Sequence, residues 1–240
     1  MNILAVGAHP DDVETCCAGT LAKYASQGHK VFMATATNGN VGSTKHTMEE
    51  IAAVRKAEAA RSAALIGAEY ICLDYDDEMF FESREARIKF IDLVRYCQAD
   101  IILTHNPQDY LPDHELTSKI INDIAVMIPI DHIKTPNRPN KKIPQIYYFE
   151  PALGLGFVPT EYVDITPFFD IKMKMLACHE SQIQWLKDNL QDCDSQGEAG
   201  LFRDPSITAQ YRGMQCGVKY AEAFVRAIKA HRVTPERLLP

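Results

Sequence analysis

The chain has 240 residues, 46% of them apolar and 24% charged, and a formal net charge of -7. An acidic surface lacks the basic stripe that displaces counterions from phosphates, so no nucleic-acid partner is expected. No apolar stretch is long enough to span a bilayer, so no membrane association is expected either. The seven cysteines include no CxxC pair, which reads as free thiols in a reducing compartment. Met1 and Asn2 lead into an apolar run without a basic leader region, and the expected location is cytoplasmic.

Strand and helix signals alternate through the first half. Ile3 to Ala8 is a continuous apolar run, as a strand covered on both faces requires. A helix follows from Asp12 to Gln27 and ends at Gly28, a residue suited to the C-terminal cap. Lys30 to Thr37 is a second strand, ending in the turn-forming Asn38, Gly39 and Asn40. A helix from about Met48 to Ile66, a short strand from Tyr70 to Leu73 and a helix around Arg84 to Tyr96 lead to a strand at Ile101 to Thr104. His114 to Met127 is helical again, with Leu116, Ile120, Ile124 and Met127 on one stripe.

The second half is less regular. Lys134 to Pro144 reads as a solvated, proline-rich loop, Ile146 to Phe149 and Tyr162 to Ile165 as strands, and Pro167 to Asn189 as one long helix. The stretch from Asp194 to Ser206 reads as a loop. The fold expected is a single α/β domain over residues 1–240, a Rossmann-like three-layer sandwich with a mostly parallel sheet.

Ligands of such sheets bind outside the carboxyl ends of the strands. The first strand ends there in His9, Pro10, Asp11 and Asp12. One aspartate at a helix start is explained as a cap. Two adjacent carboxylates repel each other unless something positive lies near. The first corner alone therefore leaves both readings open, a polar helix start and a metal site.

A second corner, Thr104 to Glu115, follows another apolar strand and opens on the same edge with His105, Asp109, Asp113 and His114. His9, Asp12 and His114 together make two imidazoles and one carboxylate, the usual donor set of a catalytic zinc with an open position. The same triad also suits Fe²⁺ or another divalent ion. Asp11, left over beside such an ion, is placed to act as general base toward water.

These residues resemble the PIG-L or LmbE-like deacetylases, zinc-dependent enzymes that remove acetyl groups from N-acetylglucosamine derivatives and related amides. The resemblance rests on Ala8 to Glu14 directly after the first strand and on Pro112 to His114. Arg55 to Gly67, Lys174 to Gln182 and Gln215 to Phe224 add to it. It implies His9, Asp12 and His114 as zinc ligands, Asp11 as general base and Asp113 as a supporting carboxylate. It also implies Arg55 as a substrate contact, and Asn38 points toward the same edge. Many members carry a histidine where this chain has Leu111, and His105 and His179 are candidates to replace it. The implied substrate is a small N-acetyl sugar or sugar conjugate, and self-association is a family expectation. Two rivals stand beside this reading. One is an amidase of another amide, such as a thiol conjugate. The other is a non-catalytic sugar- or nucleotide-binding domain, although no GxGxxG follows the first strand.

Overall fold

The computed structural model describes residues 1–154, 156–190, 200–228 and 236–240. Among these residues seven strands form one sheet: β1 (Asn2–Gly7), β2 (Lys30–Thr37), β3 (Glu69–Tyr75), β4 (Ile101–Thr104), β5 (Gln145–Phe149), β6 (Glu161–Asp164) and β7 (Ala221–Arg226). Their order is β3-β2-β1-β4-β5-β7-β6. The first five are mutually parallel, and β7 runs antiparallel to both β5 and β6.

The helices are α1 (Asp12–Ser26), α2 (Met48–Ala64), α3 (Arg84–Cys97), α4 (Pro112–Ile124), α5 (Phe169–Ala177), α6 (Glu180–Trp185) and α7 (Gly200–Cys216). Alternation along β1 divides them between the two faces. Ile3 and Ala5 pack with residues of α1, α2, α5 and α7. Leu4 and Val6 pack with residues of α3 and α4. All four strand residues are fully buried, which explains why β1 is apolar throughout rather than alternating.

Winding direction decides where the site lies. From β1 the chain steps outward to β2 and β3, then crosses back so that β4 lies on the other side of β1. Val6 pairs with Thr104 in that register. The two loops leaving β1 and β4 therefore diverge above neighbouring strand ends, and a crevice opens where the order reverses. Two segments about a hundred residues apart are brought together by this crossover.

Local signals set several helix starts. Thr47 and Glu50 form a reciprocal capping box at α2, with bonds of 3.2 and 3.0 Å. Ser83 accepts from Ala86 N at α3. The two site helices do not start this way: Asp11 before α1 and Leu111 before α4 make no side-chain cap bond. A cap therefore does not account for Asp11.

The second half departs from the sequence expectation in three places. The long helix from Pro167 is broken at His179, whose φ of -86° and ψ of 55° are non-helical, and a π-helical turn over Leu186–Leu190 follows α6. Residues 200–206 of the expected loop begin α7, with Pro205 inside it; the loop reading for residues 194–199 lies outside the described residues. The strand β7 was not expected. Its neighbours shield it: Ala221, Ala223 and Phe224 are buried between β5 and β6. Among the described residues no helix is long and apolar enough to cross a membrane.

Candidate metal centre

Asp12 opens α1, yet its carboxylate turns back on the loop before it. Its Oδ2 accepts from Ala8 N at 2.9 Å and His9 N at 2.7 Å. This pins the β1–α1 corner and directs the His9 ring across the crevice. Asp11 sits in the corner with φ 114° and ψ -21°, a strained conformation for a residue with a Cβ. Gly7 is needed beneath it, because a Cβ there would lie 2.8 Å from the Asp12 Cβ.

His114 enters from the first turn of α4. Its Nε2 lies 3.2 Å from His9 Nδ1 and 3.3 Å from Asp12 Oδ1, and His9 Nδ1 lies 3.5 Å from Asp12 Oδ2. Tetrahedral coordination with bonds of 2.0–2.1 Å separates neighbouring donors by about 3.3 Å. Each of these separations is close to that spacing, although Asp12 approaches His114 through Oδ1 and His9 through Oδ2. All three groups are buried or nearly so, and two imidazole nitrogens facing each other gain from a cation between them. The donors could hold a metal ion.

Carboxylates behind the histidines orient both rings. His114 Nδ1 lies 3.0 Å from Asp109 Oδ1. His9 Nε2 lies 2.9 Å from Asp77 Oδ1 and 3.5 Å from Asp113 Oδ2. A histidine that donates one ring N–H to a carboxylate presents the other nitrogen as a ligand. Burial disfavours charge on His114, but Asp12 and Asp109 raise it to about 9. For His9, burial is likewise overcome by Asp113, Asp12 and Asp77. Burial also opposes charge on Asp12, yet His114 and His105 hold it well below the usual carboxylate range. A pocket that favours positive charge on its imidazoles is one in which a metal cation is also at home.

Asp11 differs from its neighbour. Burial pushes its carboxyl up to about 6, against the pull of Arg55 and with help from Asp12. Arg55 is itself buried and runs beneath the corner, donating from Nη2 to Pro10 O at 2.7 Å. The same nitrogen lies 3.5 Å from Asp11 Oδ2. Gly39, at φ +70°, makes room for it, because a Cβ there would meet Arg55 Nη1 at 2.6 Å.

The remaining candidates divide by position. His105 borders the cavity but is buried, stacked on His114 with ring centroids 3.8 Å apart. Its Nε2 is engaged with Ala8 N at 2.9 Å and Asp12 Oδ2 at 3.1 Å. His179 is fully buried, away from the cavity wall, with Nε2 3.0 Å from Glu14 Oε1. Asn38 donates to Asp74 and accepts from Asn40 N, and does not line the cavity. Asp113 accepts from Glu78 N at 3.0 Å. Leu111 faces the cavity.

Sequence reasoning gave Asp77 no place and Asp109 no role. Asp77 had a signal: Asp76, Asp77 and Glu78 follow β3 at the same sheet edge that singled out His9. Asn40 holds that loop, donating to Asp76 Oδ1 at 2.8 Å and accepting from Asp77 N at 3.0 Å.

The donors open into a cavity of about 550 Å³. Tyr110, Leu153, Trp185 and Leu201 are among the residues that line it.

Known proteins resemble this chain in sequence and in fold. The family profile PIG-L, described as GlcNAc-PI de-N-acetylase, matches residues 4–125, just over half of the chain. This chain belongs to the PIG-L family. A diacetylchitobiose deacetylase of Thermococcus kodakarensis is 28% identical to this PIG-L protein over 96% of this chain and 85% of its own. A 4-oxalmesaconate hydratase of Pseudomonas putida is 25% identical over 75% of this chain and 74% of its own. The solved N,N'-diacetylchitobiose deacetylase of Pyrococcus horikoshii superposes with a TM-score of 0.78 at 24% identity, over 94% of this chain and 83% of that one. That likeness carries the α/β fold. The residues matched by the PIG-L profile run from β1 through α4 and include both corners of the candidate metal centre.

Proposed function

We propose that this PIG-L protein is a zinc-dependent N-deacetylase that hydrolyses the acetamide of an N-acetylglucosamine-type sugar or conjugate to acetate and a free amine. The observation that carries the reading is the approach of His9 Nδ1, His114 Nε2 and Asp12 to within 3.2–3.5 Å of one another at the floor of a ligand-sized cavity. The family and the deacetylase relative supply the reaction class.

Zinc, when bound, supplies Lewis-acid polarisation of the amide carbonyl and lowers the pKa of water toward neutrality. His9, Asp12 and His114 would hold it. Fe²⁺ suits the same donors. Asp11 takes the proton of the attacking water. A carboxyl near 6 is well matched to a proton transfer near neutral pH. The strained corner aims that carboxylate into the cavity, and Arg55, anchored on Pro10 O, stops it from swinging away. Leu111 can offer no proton, so Asp11 returns the one it holds to the departing nitrogen.

The test pairs elemental analysis with an amine-release assay on N-acetyl sugars. His114→Ala is expected to lose both the metal and turnover. Retention of one full metal equivalent in His114→Ala would refute the assigned ligands. The relative named a hydratase keeps one other reaction in view: water addition with the same donors. Amine release from an N-acetyl sugar decides for the deacetylase. An amidase of thiol conjugates would show the same metal dependence but no release from simple N-acetyl sugars, and a pure binding domain would release nothing.

A further inference from the structure

Among the described residues, the lysine and arginine side chains that line the cavity, Lys172 and Arg55, each have a carboxylate partner, as do Arg212 and Arg203 beside it. Lys172 Nζ lies 2.7 Å from Glu222 Oε1 and donates to Thr15 O at 2.7 Å. Glu222 is held in turn by Gly19 N and Thr20 N, at 3.0 and 2.7 Å. Arg212 grips Glu150 through Nε, at 3.0 and 2.9 Å from its two oxygens. Arg203 donates to Asp204 Oδ1 at 2.7 Å. Arg55 lies against Asp11 and donates to two carbonyls. In each pair the carboxylate lines the cavity.

Of the carboxylates that remain, Asp77 also lies 4.0 Å from Arg55 Nη1. Asp77 and Asp109 back the two histidines, and Glu78 lies at the rim with an exposed side chain. A divalent ion at the donors would be offset by Asp12, Asp77 and Asp109 around it. Tyr110, Leu153, Trp185 and Leu201, which also line the cavity, are apolar or aromatic. Aromatic rings and aliphatic side chains pack on the C–H faces of a sugar ring, whereas an unpaired anion beside them is penalised.

We infer that the cavity selects an uncharged N-acyl sugar, or one joined to an uncharged group, and rejects sugars bearing phosphate or carboxylate. This rests on the proposed deacetylase reading and narrows its substrate. Among the described residues, neither lining base, Lys172 nor Arg55, can receive a substrate anion without first breaking a buried ion pair, and removing one partner of such a pair is costly.

The test compares N-acetylglucosamine and N,N'-diacetylchitobiose with the 1-phosphate and 6-phosphate of N-acetylglucosamine, so that either ring orientation buries a charge. Two readouts are used: amine release by the zinc-loaded protein, and calorimetric binding to zinc-loaded Asp11→Asn. The expected result is that both phosphates fall at least tenfold below the neutral sugars in kcat/KM and in affinity. A gap below tenfold in binding, or no binding of the neutral sugars, overturns the inference. Preferential binding of neutral sugars with no amine release would overturn the deacetylase reading and leave the cavity's charge selection standing. Glu78→Lys, which adds an ammonium at the rim, is expected to narrow the gap at least threefold. An unchanged gap would show that charge is not its cause.

Discussion

Replacing Asp109 by asparagine removes one charge from the candidate metal centre and almost nothing else. The carboxylate lies 3.0 Å from His114 Nδ1, and its side chain is fully shielded from solvent. Asparagine keeps the size and an oxygen that can still accept the imidazole N–H, so the ring need not turn. A unit charge at this range and an effective dielectric of 20 is worth roughly 5.5 kcal/mol gross. Much of that cancels, because the same carboxylate also favours a proton on His114, which an incoming metal must displace. Loss of a carboxylate behind a ligand histidine costs about 10- to 100-fold in metal affinity, or ~1.4–2.8 kcal/mol. Asp109→Asn is therefore expected to weaken Zn²⁺ binding by that factor in a competition titration against a chromophoric chelator. Thermal unfolding of the metal-free protein should change little by comparison. An affinity within threefold of the parent, with an intact fold, would refute the claim that Asp109 sets the donor strength of His114.

Asp11→Ala is expected to keep a full metal equivalent and lose about 100-fold or more in kcat; near-parental turnover in a metal-replete assay would remove Asp11 as the base. Gly39→Ala forces a Cβ to φ +70° and to 2.6 Å from Arg55 Nη1, and should cost about 1–3 kcal/mol in denaturant unfolding; a loss under 0.5 kcal/mol, on the order of an ordinary surface change, would contradict the packing described. Lys172→Met strands the Glu222 carboxylate against α1 and should destabilise by about 3–5 kcal/mol, while Lys172→Met with Glu222→Gln should recover part of the loss. A double variant no more stable than the single one would mean that the ion pair does not act as a unit.

The order of strands and helices as far as α4 was legible because each element carried its own pattern. β1 and β4 are buried on both faces and so read as unbroken apolar runs. The α4 stripe recurs at helical spacing, and Gly28 and Gly67 take the positive φ that follows a helix end. The residues of the two corners were visible for a related reason. Carboxylates and imidazoles directly after apolar strands have no packing role to explain them, and the parallel sheet places all such strand ends on one edge.

Other features had no local signature. His179 breaks a helix whose apolar spacing continues past it, because its ring is taken by Glu14 on α1. β7 became a strand by filling the gap between β5 and β6, and its Glu222 is buried only because Lys172 and two amides of α1 receive it. Residue type, read along the chain, thus determined which groups stand at the sheet edge. The crossover that sets β4 beside β1 decided that His9 and His114 meet, and which carboxylate stands behind each. Those contacts join residues far apart in the chain, and only packing of the sheet brings them within a few ångströms.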